Sequence, residues 1–470
     1  MLKKAIMVVS GNAFGSLFLL VRNLVVARMM SPENYGIAST FAISMSVVEM
    51  LSYLGLNQLM IVDKDGDNPR FQAAMQGFQV LRGCFSATVL FLIAEPYARF
   101  LGVERVAWAY QVLALVPFIN GFQHYDVHRL RRHMNFRPTV LVNSIPAAVS
   151  VLALWPLALF MGDYRIMLGA LFFQALAMVA VTHLSAERSY RIRLDPVLMK
   201  KAMVFGWPLL LDGALIFAAM NGERLIILRE MGVTQFAFFS MAFTLTLTPT
   251  SVLSGAAHSM LVPWLASVRN KPDEFQRAAL IALEVNLAIA VLLVLGTSLV
   301  GGPLASLLLG PKYVPILEIL VPIAVLQAIR VSKNGANLVA LSIGHTSTSM
   351  ICNLIRVASL PVSWWVAVYS GDIFMIIWIV CIAEIIAFLL SMHLARSWAG
   401  IRILPFLLPV AIVAALLALV LWDNFTHPPQ KAFPGHLHWM QIAILGTGLA
   451  ALASMSGLRA RLLDSRRSHG

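Results

Sequence analysis

The residues best placed to do chemistry are charges and amides set inside long apolar stretches. Between 315 and 341, Gln327, Arg330, Asn334 and Asn337 recur at helical spacing, and Lys333 follows Arg330 by three. A helix there would present two cations and three amides on one face. Arg356 stands beside Asn353 in the next apolar stretch, and Arg82 and Arg22 lie inside two earlier ones. Fixed cations suit an anion such as phosphate, and amides suit hydroxyls. Carboxylates in similar settings are Glu49, Asp212, Glu223 and Glu384, whereas Glu284 and Glu318 fall nearer the ends of their stretches. A buried acid can take up a proton or hold a cation, so these four are candidates for coupling to H+ or Na+. Each has a plainer reading as well: the cations can snorkel to an interface or brace helices, and Glu49 can simply pair with Arg82.

Catalytic patterns are missing. There is no GxxxxGK[ST] loop, HExxH pair or GxSxG elbow, so nothing indicates ATP hydrolysis, zinc proteolysis or a serine hydrolase, and no catalytic residue, metal or cofactor is assigned. His124, His128 and His133 share a basic loop and read as solvated contacts to lipid headgroups. Cys84, Cys352 and Cys381 are far apart in apolar segments, where packing explains them better than a disulfide or a metal.

What must position these side chains is a set of membrane helices. Of the 470 residues, 59% are hydrophobic and 12% charged, with a mean hydropathy of +0.80. A soluble domain of this size needs roughly a quarter charged residues to cover its surface, whereas lipid accepts apolar side chains outward. Lipid cannot hydrogen-bond the backbone, and the apolar runs are too long and unalternating for barrel strands, so the spans are helical. Fourteen are expected, at about 5–27, 35–62, 71–94, 107–122, 139–161, 166–186, 202–228, 234–262, 276–300, 315–341, 347–369, 373–395, 405–422 and 439–456. Twelve or thirteen remain open, and span 234–262 is long enough to tilt or bend near Pro249. The first span is too long for a secretory signal and carries Arg22, so it reads as an uncleaved helix.

Lysine and arginine set the orientation. With fourteen spans, 22 of the 35 lie on the side of the termini, seven on the other side and six within spans, which places both termini in the cytoplasm. The net charge of +13 is mostly this bias, carried by short loops such as 128–137 and 187–193 beside anionic headgroups rather than by a nucleic-acid surface.

A shift of 201 residues reveals an internal echo. The stretch 23–39 lies over 224–240 and matches Leu24 with Leu225, Arg28 with Arg229, Met30 with Met231 and Ser39 with Ser240. PYARFLG (96–102) is similarly echoed by PLASLLLG (303–310). The chain then divides into a six-helix lobe over 1–200, a second over 201–400, and a helix pair with a basic tail over 401–470, the lobes being a parallel repeat.

The opening SGNAFGSLFLLVRNLVVARMMSPENYGIAS (10–39) resembles the polysaccharide transporters, Wzx-type oligosaccharide flippases, of the multidrug/oligosaccharidyl-lipid/polysaccharide flippase superfamily. So do FGWPLLLDGALIFAAMNGERLIILREMG (205–232) and FSMAFTLTLTPTSVLSGAAHSMLVPWLA (239–266), which look like that family's seventh and eighth helices. Glu223 stands where an aspartate is more usual. The resemblance covers about residues 1–400 and implies an all-α polytopic protein of two pseudo-symmetric lobes plus a helix pair, working by alternating access in a bacterial inner membrane. Its implied cargo is an undecaprenyl-pyrophosphate-linked glycan, moved to the periplasmic leaflet for exopolysaccharide, O-antigen or capsule synthesis alongside a polymerase or export machinery.

Such a headgroup is doubly charged and rich in hydroxyls. Arg330, Lys333 and Arg356 are the expected pyrophosphate cradle, with Arg82, Arg22, Gln327, Asn334, Asn337 and Asn353 as further cargo contacts. An ion-coupled drug or metabolite antiporter of the same superfamily would favour an acidic or aromatic cavity instead, and a peptidoglycan-precursor flippase is a close relative of the first reading. A membrane glycosyltransferase or polymerase would need a large extramembrane loop with catalytic acids, and the loops here are short.

Overall fold

The structure, a computed structural model, describes residues 2–345, 347–427 and 438–459. The loop bearing Lys431 and the basic tail beyond 459 lie outside them. Among the described residues all regular structure is helical, as a chain whose backbone bonds must close within each segment requires. Contacts divide the chain into two compact units, 1–237 and 238–470.

The first unit begins with α1 (Leu2–Met29) and α2 (Pro32–Leu51). Ser31 separates them: its side chain accepts the Asn34 N–H and Pro32 takes the first helical turn, so the Ser-Pro-Glu stretch caps a new helix. After a break at 52–55, short α3 (Leu56–Val62) leads to α4 (Pro69–Phe100), capped in the same manner by Asn68 ahead of Pro69. Next come α5 (Ala107–Leu113), α6 (Leu115–Asn120), α7 (Asp126–Arg132), α8 (Arg137–Leu152), α9 (Leu154–Phe160) and α10 (Arg165–Leu184). The expected spans 35–62, 107–122 and 139–161 are thus each two helical pieces.

A helical run, α11 (Pro196–Val268), carries the two expected spans 202–228 and 234–262. It contains one non-helical residue, Gly232, at φ +83 and ψ 172, where two helices meet. An L side chain rarely takes that φ, so glycine permits the joint. Gly232 falls in the gap between the two expected spans, and Pro249 lies within helical backbone. Residues 201–237 pack with the first unit. A Cβ on Gly206 would fall 2.4 Å from the Leu54 carbonyl oxygen, and one on Gly36 would meet the Val233 carbonyl. Such close backbone approach is how small residues join helices in lipid.

The second unit holds the rest of α11, then α12 (Pro272–Gly296), a π turn at 297–301, α13 (Gly302–Leu309), α14 (Ile316–Ser342), α15 (Ser347–Ser370), α16 (Ile373–Ala399), α17 (Leu404–Thr426) and α18 (Trp439–Ser454). Its core is a continuous cluster through α12, α14 and α17 around Ala282, Leu287, Val339 and Leu416.

By length and apolarity, nine helices among the described residues can cross a membrane. The polar face of α14 keeps it outside the nine, and α18 is shorter than they are. The chain is a multi-pass, all-α membrane protein. The 201-residue echo is visible in the backbone: Ser31 and Gly232 are the non-helical joints of their stretches. Likewise Gly102 (φ +73) and Gly310 (φ +81) each close a helix ahead of a 3-10 turn.

Candidate functional site

In the second unit α16 packs against both α14 and α15. Its sequence, IFMIIWIVCIAEIIAFLLSMHLARSWA, has one acid, Glu384. That carboxylate is fully buried and faces three cations. The Arg330 Nε–H donates to Oε1 at 2.7 Å, Lys333 Nζ donates to Oε2 at 2.8 Å, and Arg356 Nε lies 2.5 Å from Oε1. Arg330, Lys333 and Arg356 are only 7%, 5% and 7% exposed. They therefore do not snorkel to an interface. Arg330 also sits 5.7 Å from the centroid of the Phe243 ring, in cation–π range.

The amides gather around this hub. Asn353 Oδ1 accepts from Arg356 at 3.4 Å. Gln327, one turn before Arg330, is 1% exposed, and its Nε2 has no hydrogen-bond partner among the described residues. Asn334 and Asn337 are half-buried on the same helix, and Asn337 Oδ1 also lacks a partner. Three cations therefore meet on one carboxylate inside helices, with open amide valences beside them. Buried charge and amides of this kind need partners. An anionic, hydroxyl-bearing ligand offers acceptors to the cations and partners to the amides.

The remaining predicted residues fall into separate places. Arg22 is buried in the first unit, and its Nη1–H donates to Gln174 Oε1 at 2.5 Å. Tyr35 lies in the fields of Arg22 and Arg224, and Glu223, beside Arg224, is also buried. Glu49 and Arg82 share a cavity of about 240 Å³ but are not paired: Arg82 Nη1 donates to the Ser52 carbonyl at 3.2 Å. Asp212 is exposed on α11, and Arg28 is exposed at the end of α1.

The loops of the first unit are locked by ion pairs. Asp126 is fully buried and accepts from Arg129 Nε at 2.6 Å and from the backbone N–H groups of Glu187 and Arg188 at 2.8 and 3.2 Å. Burial alone would raise its carboxyl, but Arg129 and the backbone donors outweigh that and hold it below the usual range. Lys201 bridges Asp63 and Asp65, Arg70 pairs with Asp195 at 2.7 Å, and Arg132 donates to the Asp63 carbonyl. The histidines divide here. His133 contacts Asp67 at 2.6 Å. His124 takes the Asp126 N–H on Nδ1 at 3.1 Å, so Nε2 carries the proton that it gives to the Arg188 carbonyl at 2.9 Å. His128 lines the cavity instead, and burial, with Arg131 nearby, pushes it down to about 4.

Sequence reasoning missed the amide wall of that cavity, formed by Asn57, Gln79, Asn120 and Gln123. Two signals could have revealed it: Gln72, Gln76 and Gln79 at helical spacing in α4, and the polar run GFQHYD (121–126) that interrupts an apolar span.

Several known proteins resemble this chain in sequence or in fold. The succinoglycan biosynthesis transport protein ExoT of Rhizobium meliloti is 24% identical over 313 residues, spanning 64% of this chain and 60% of that protein, less than two thirds of its length. An uncharacterized membrane protein in the cps region of Klebsiella pneumoniae is 20% identical, over 77% of this chain and 76% of that one. Among solved structures, the lipid II flippase MurJ in an inward closed conformation aligns over 97% of this chain and 99% of its own, with a TM-score of 0.73 at 14% identity. An inward-facing multidrug resistance MATE family transporter of the MOP superfamily aligns over 84% of this chain and 98% of its own, at 0.64 and 15%. These likenesses establish the fold as that of MOP-superfamily transporters. The family described as polysaccharide biosynthesis protein matches residues 25–318, and with most of its length inside that match the chain belongs to this family.

Proposed function

We propose that the protein is a flippase that carries a polyprenyl-pyrophosphate-linked oligosaccharide from the cytoplasmic to the periplasmic leaflet of a bacterial inner membrane. The family, the transport role in the name of the Rhizobium relative and the flippase fold all support this reading. The observation that carries it is the Arg330, Lys333, Arg356 and Glu384 cluster, a buried site where three cations converge with amides alongside. A pyrophosphate offers several oxygen acceptors to the converging cations, and sugar hydroxyls meet Gln327, Asn334, Asn337 and Asn353. Glu384 holds the three cations in place between cargoes and gives way to phosphate when the site opens. In this reading it is an anchor for the cradle rather than an ion-coupling acid, whereas Glu49 and Glu223 keep the coupling role open to H+ or Na+.

The lobes of the transport cycle are residues 1–200 and 201–400, with 401–470 as an added helix pair and both termini in the cytoplasm, as the basic loops require. Alternating access of the two lobes opens the cradle to one leaflet at a time, and the cargo passes to a polymerase or export machinery on the far side. Single Gln substitutions test the cradle. In vesicles containing a labelled polyprenyl-pyrophosphate sugar, Arg330→Gln, Lys333→Gln and Arg356→Gln are expected to slow transbilayer movement at least about tenfold, the rate equivalent of roughly 1.4 kcal/mol. Rates equal to the unsubstituted protein, at equal amounts of folded protein, would leave the cluster a structural brace.

A further inference from the structure

The cavity of the first unit lies between α2, α3, α4 and α6 and is separate from the cationic cluster. Its wall combines opposite charges that do not touch each other. Glu49 faces it with no hydrogen bond or ion pair to any described residue, and Arg82 is tied at one nitrogen to the Ser52 carbonyl, which leaves its other N–H groups for the cavity. One carboxylate and one guanidinium cancel in net charge, so neither an anion nor a cation gains overall by entering. A neutral molecule that both donates and accepts hydrogen bonds gains from both.

The amides continue that pattern. Asn57 Oδ1 is taken by Tyr53 and by the Gln58 N–H, and Asn120 Oδ1 by Gln123 Nε2. The amide NH2 groups of Asn57 and Asn120 and the carbonyl of Gln123 have no hydrogen bond among the described residues, and all three residues line the same space. Tyr125 gives its hydroxyl to Gln79 Oε1 at 3.0 Å, so its polar tip is used and its ring supplies apolar wall. The wall is rigid: a Cβ on Gly83 would fall 2.8 Å from the Gly121 Cα, so α4 and the end of α6 touch backbone to backbone. At about 240 Å³ the space would hold roughly eight waters, enough for a single ring. Adjacent hydroxyls with an apolar ring face match a carboxylate, a guanidinium, free amides and a tyrosine wall.

We propose that this cavity is a subsite for one sugar ring, which it takes by its hydroxyls between Glu49, Arg82, Asn57 and Gln123. The proposal rests on the flippase reading for its biological setting and on the cavity alone for its chemistry. The pyrophosphate and the hydroxyls next to it are left to the cationic cluster and its amides, and this cavity takes one further ring.

The test uses full-length protein in lipid nanodiscs and saturation-transfer NMR with glucose, galactose, mannose, N-acetylglucosamine and glucuronic acid, with sorbitol as an acyclic control. At least one sugar is expected to give a signal that sorbitol does not, weakened several-fold by Asn57→Leu, Gln123→Leu and Glu49→Gln and unchanged by Lys271→Gln, an exposed lysine outside both sites. If the leucine variants misfold, Asn57→Cys provides a second measurement: the same sugar should slow alkylation at residue 57, resolved by mass spectrometry from Cys84, Cys352 and Cys381. Absence of any sugar signal above sorbitol, or a signal that survives all three cavity substitutions, overturns the subsite. Movement of the lipid-linked sugar without cavity-dependent sugar binding would sink this proposal and leave the flippase reading standing. Sugar binding without lipid movement would do the reverse.

Discussion

Glu384 illustrates how one residue can organise a site without being its most visible member. It is 54 positions from Arg330 and on another helix, so no spacing rule links the two. Arg330, Lys333 and their amides were legible because helical periodicity places them on one face. Their common partner was not, since which helix lies against which is decided by packing. The same limit hid the relation of Glu49 to Arg82: adjacency of spans suggested a pair, while the structure interposes a cavity and gives Arg82 a carbonyl instead. The hub predicts an order of stabilities. Removing the single acid leaves three buried cations without it, whereas removing one cation leaves a carboxylate with two partners. Glu384→Gln should therefore lower stability by roughly 3–5 kcal/mol, and Lys333→Gln by clearly less. Thermal unfolding of purified protein measures this, and equal losses for both would contradict the hub.

At the scale of elements, the helices place these groups through close packing and through locked loops. Gly335, five residues after Arg330 on α14, lies against α12, where a Cβ would fall 2.9 Å from the Leu283 Cα and 3.1 Å from the Ala282 carbonyl oxygen. Backbone cannot yield as a flexible side chain does, so Gly335→Val should push α14 away from α12. The expected cost is about 1–3 kcal/mol, accompanied by slower transport because Arg330 and Lys333 ride on the displaced helix. A variant with full stability and full transport would show that this contact does not position the cations.

The short α7 carries a pH response. Burial lowers His128 to about 4 in the folded protein, while the unfolded chain titrates near 6.5. The unfolded state therefore binds more protons between these values, so stability is complete above about pH 6.5 and declines as pH falls toward 4. His128→Gln should flatten that part of the stability profile. A profile identical to that of the unsubstituted protein would mean that other groups carry the acid sensitivity. Of the elements themselves, the apolar spans and the joint between 228 and 234, where Gly232 falls, are legible in the sequence. The breaks within spans are not, because pieces such as α5 and α6 share one apolar stretch.

At the scale of the whole molecule, composition sufficed for the membrane class, and the two sequence echoes, offset by 201 residues at Ser31 and Gly232 and by 208 at Gly102 and Gly310, coincide with paired local features. By contacts the chain divides between 237 and 238, residues 201–237 packing with the first unit through contacts such as Gly206 on Leu54, while the repeat in sequence begins near 201. A repeat in sequence marks where a duplicated segment begins; packing decides which body each helix joins. Family membership and fold place the chain among multi-pass membrane proteins of polysaccharide biosynthesis, and in the proposed flippase reading the cationic cluster inside the second unit is what holds the phosphates of the cargo.

The most direct test is transbilayer movement itself: purified protein in liposomes with a fluorescent polyprenyl-pyrophosphate oligosaccharide, followed by loss of signal as an impermeant quencher reaches label on the outer leaflet. Labelled lipid loaded in the inner leaflet should become accessible many-fold faster in protein-containing vesicles than in empty ones, and Arg330→Gln should remove most of that gain. Movement no faster than in empty vesicles, with folded protein confirmed in the membrane, would contradict the account.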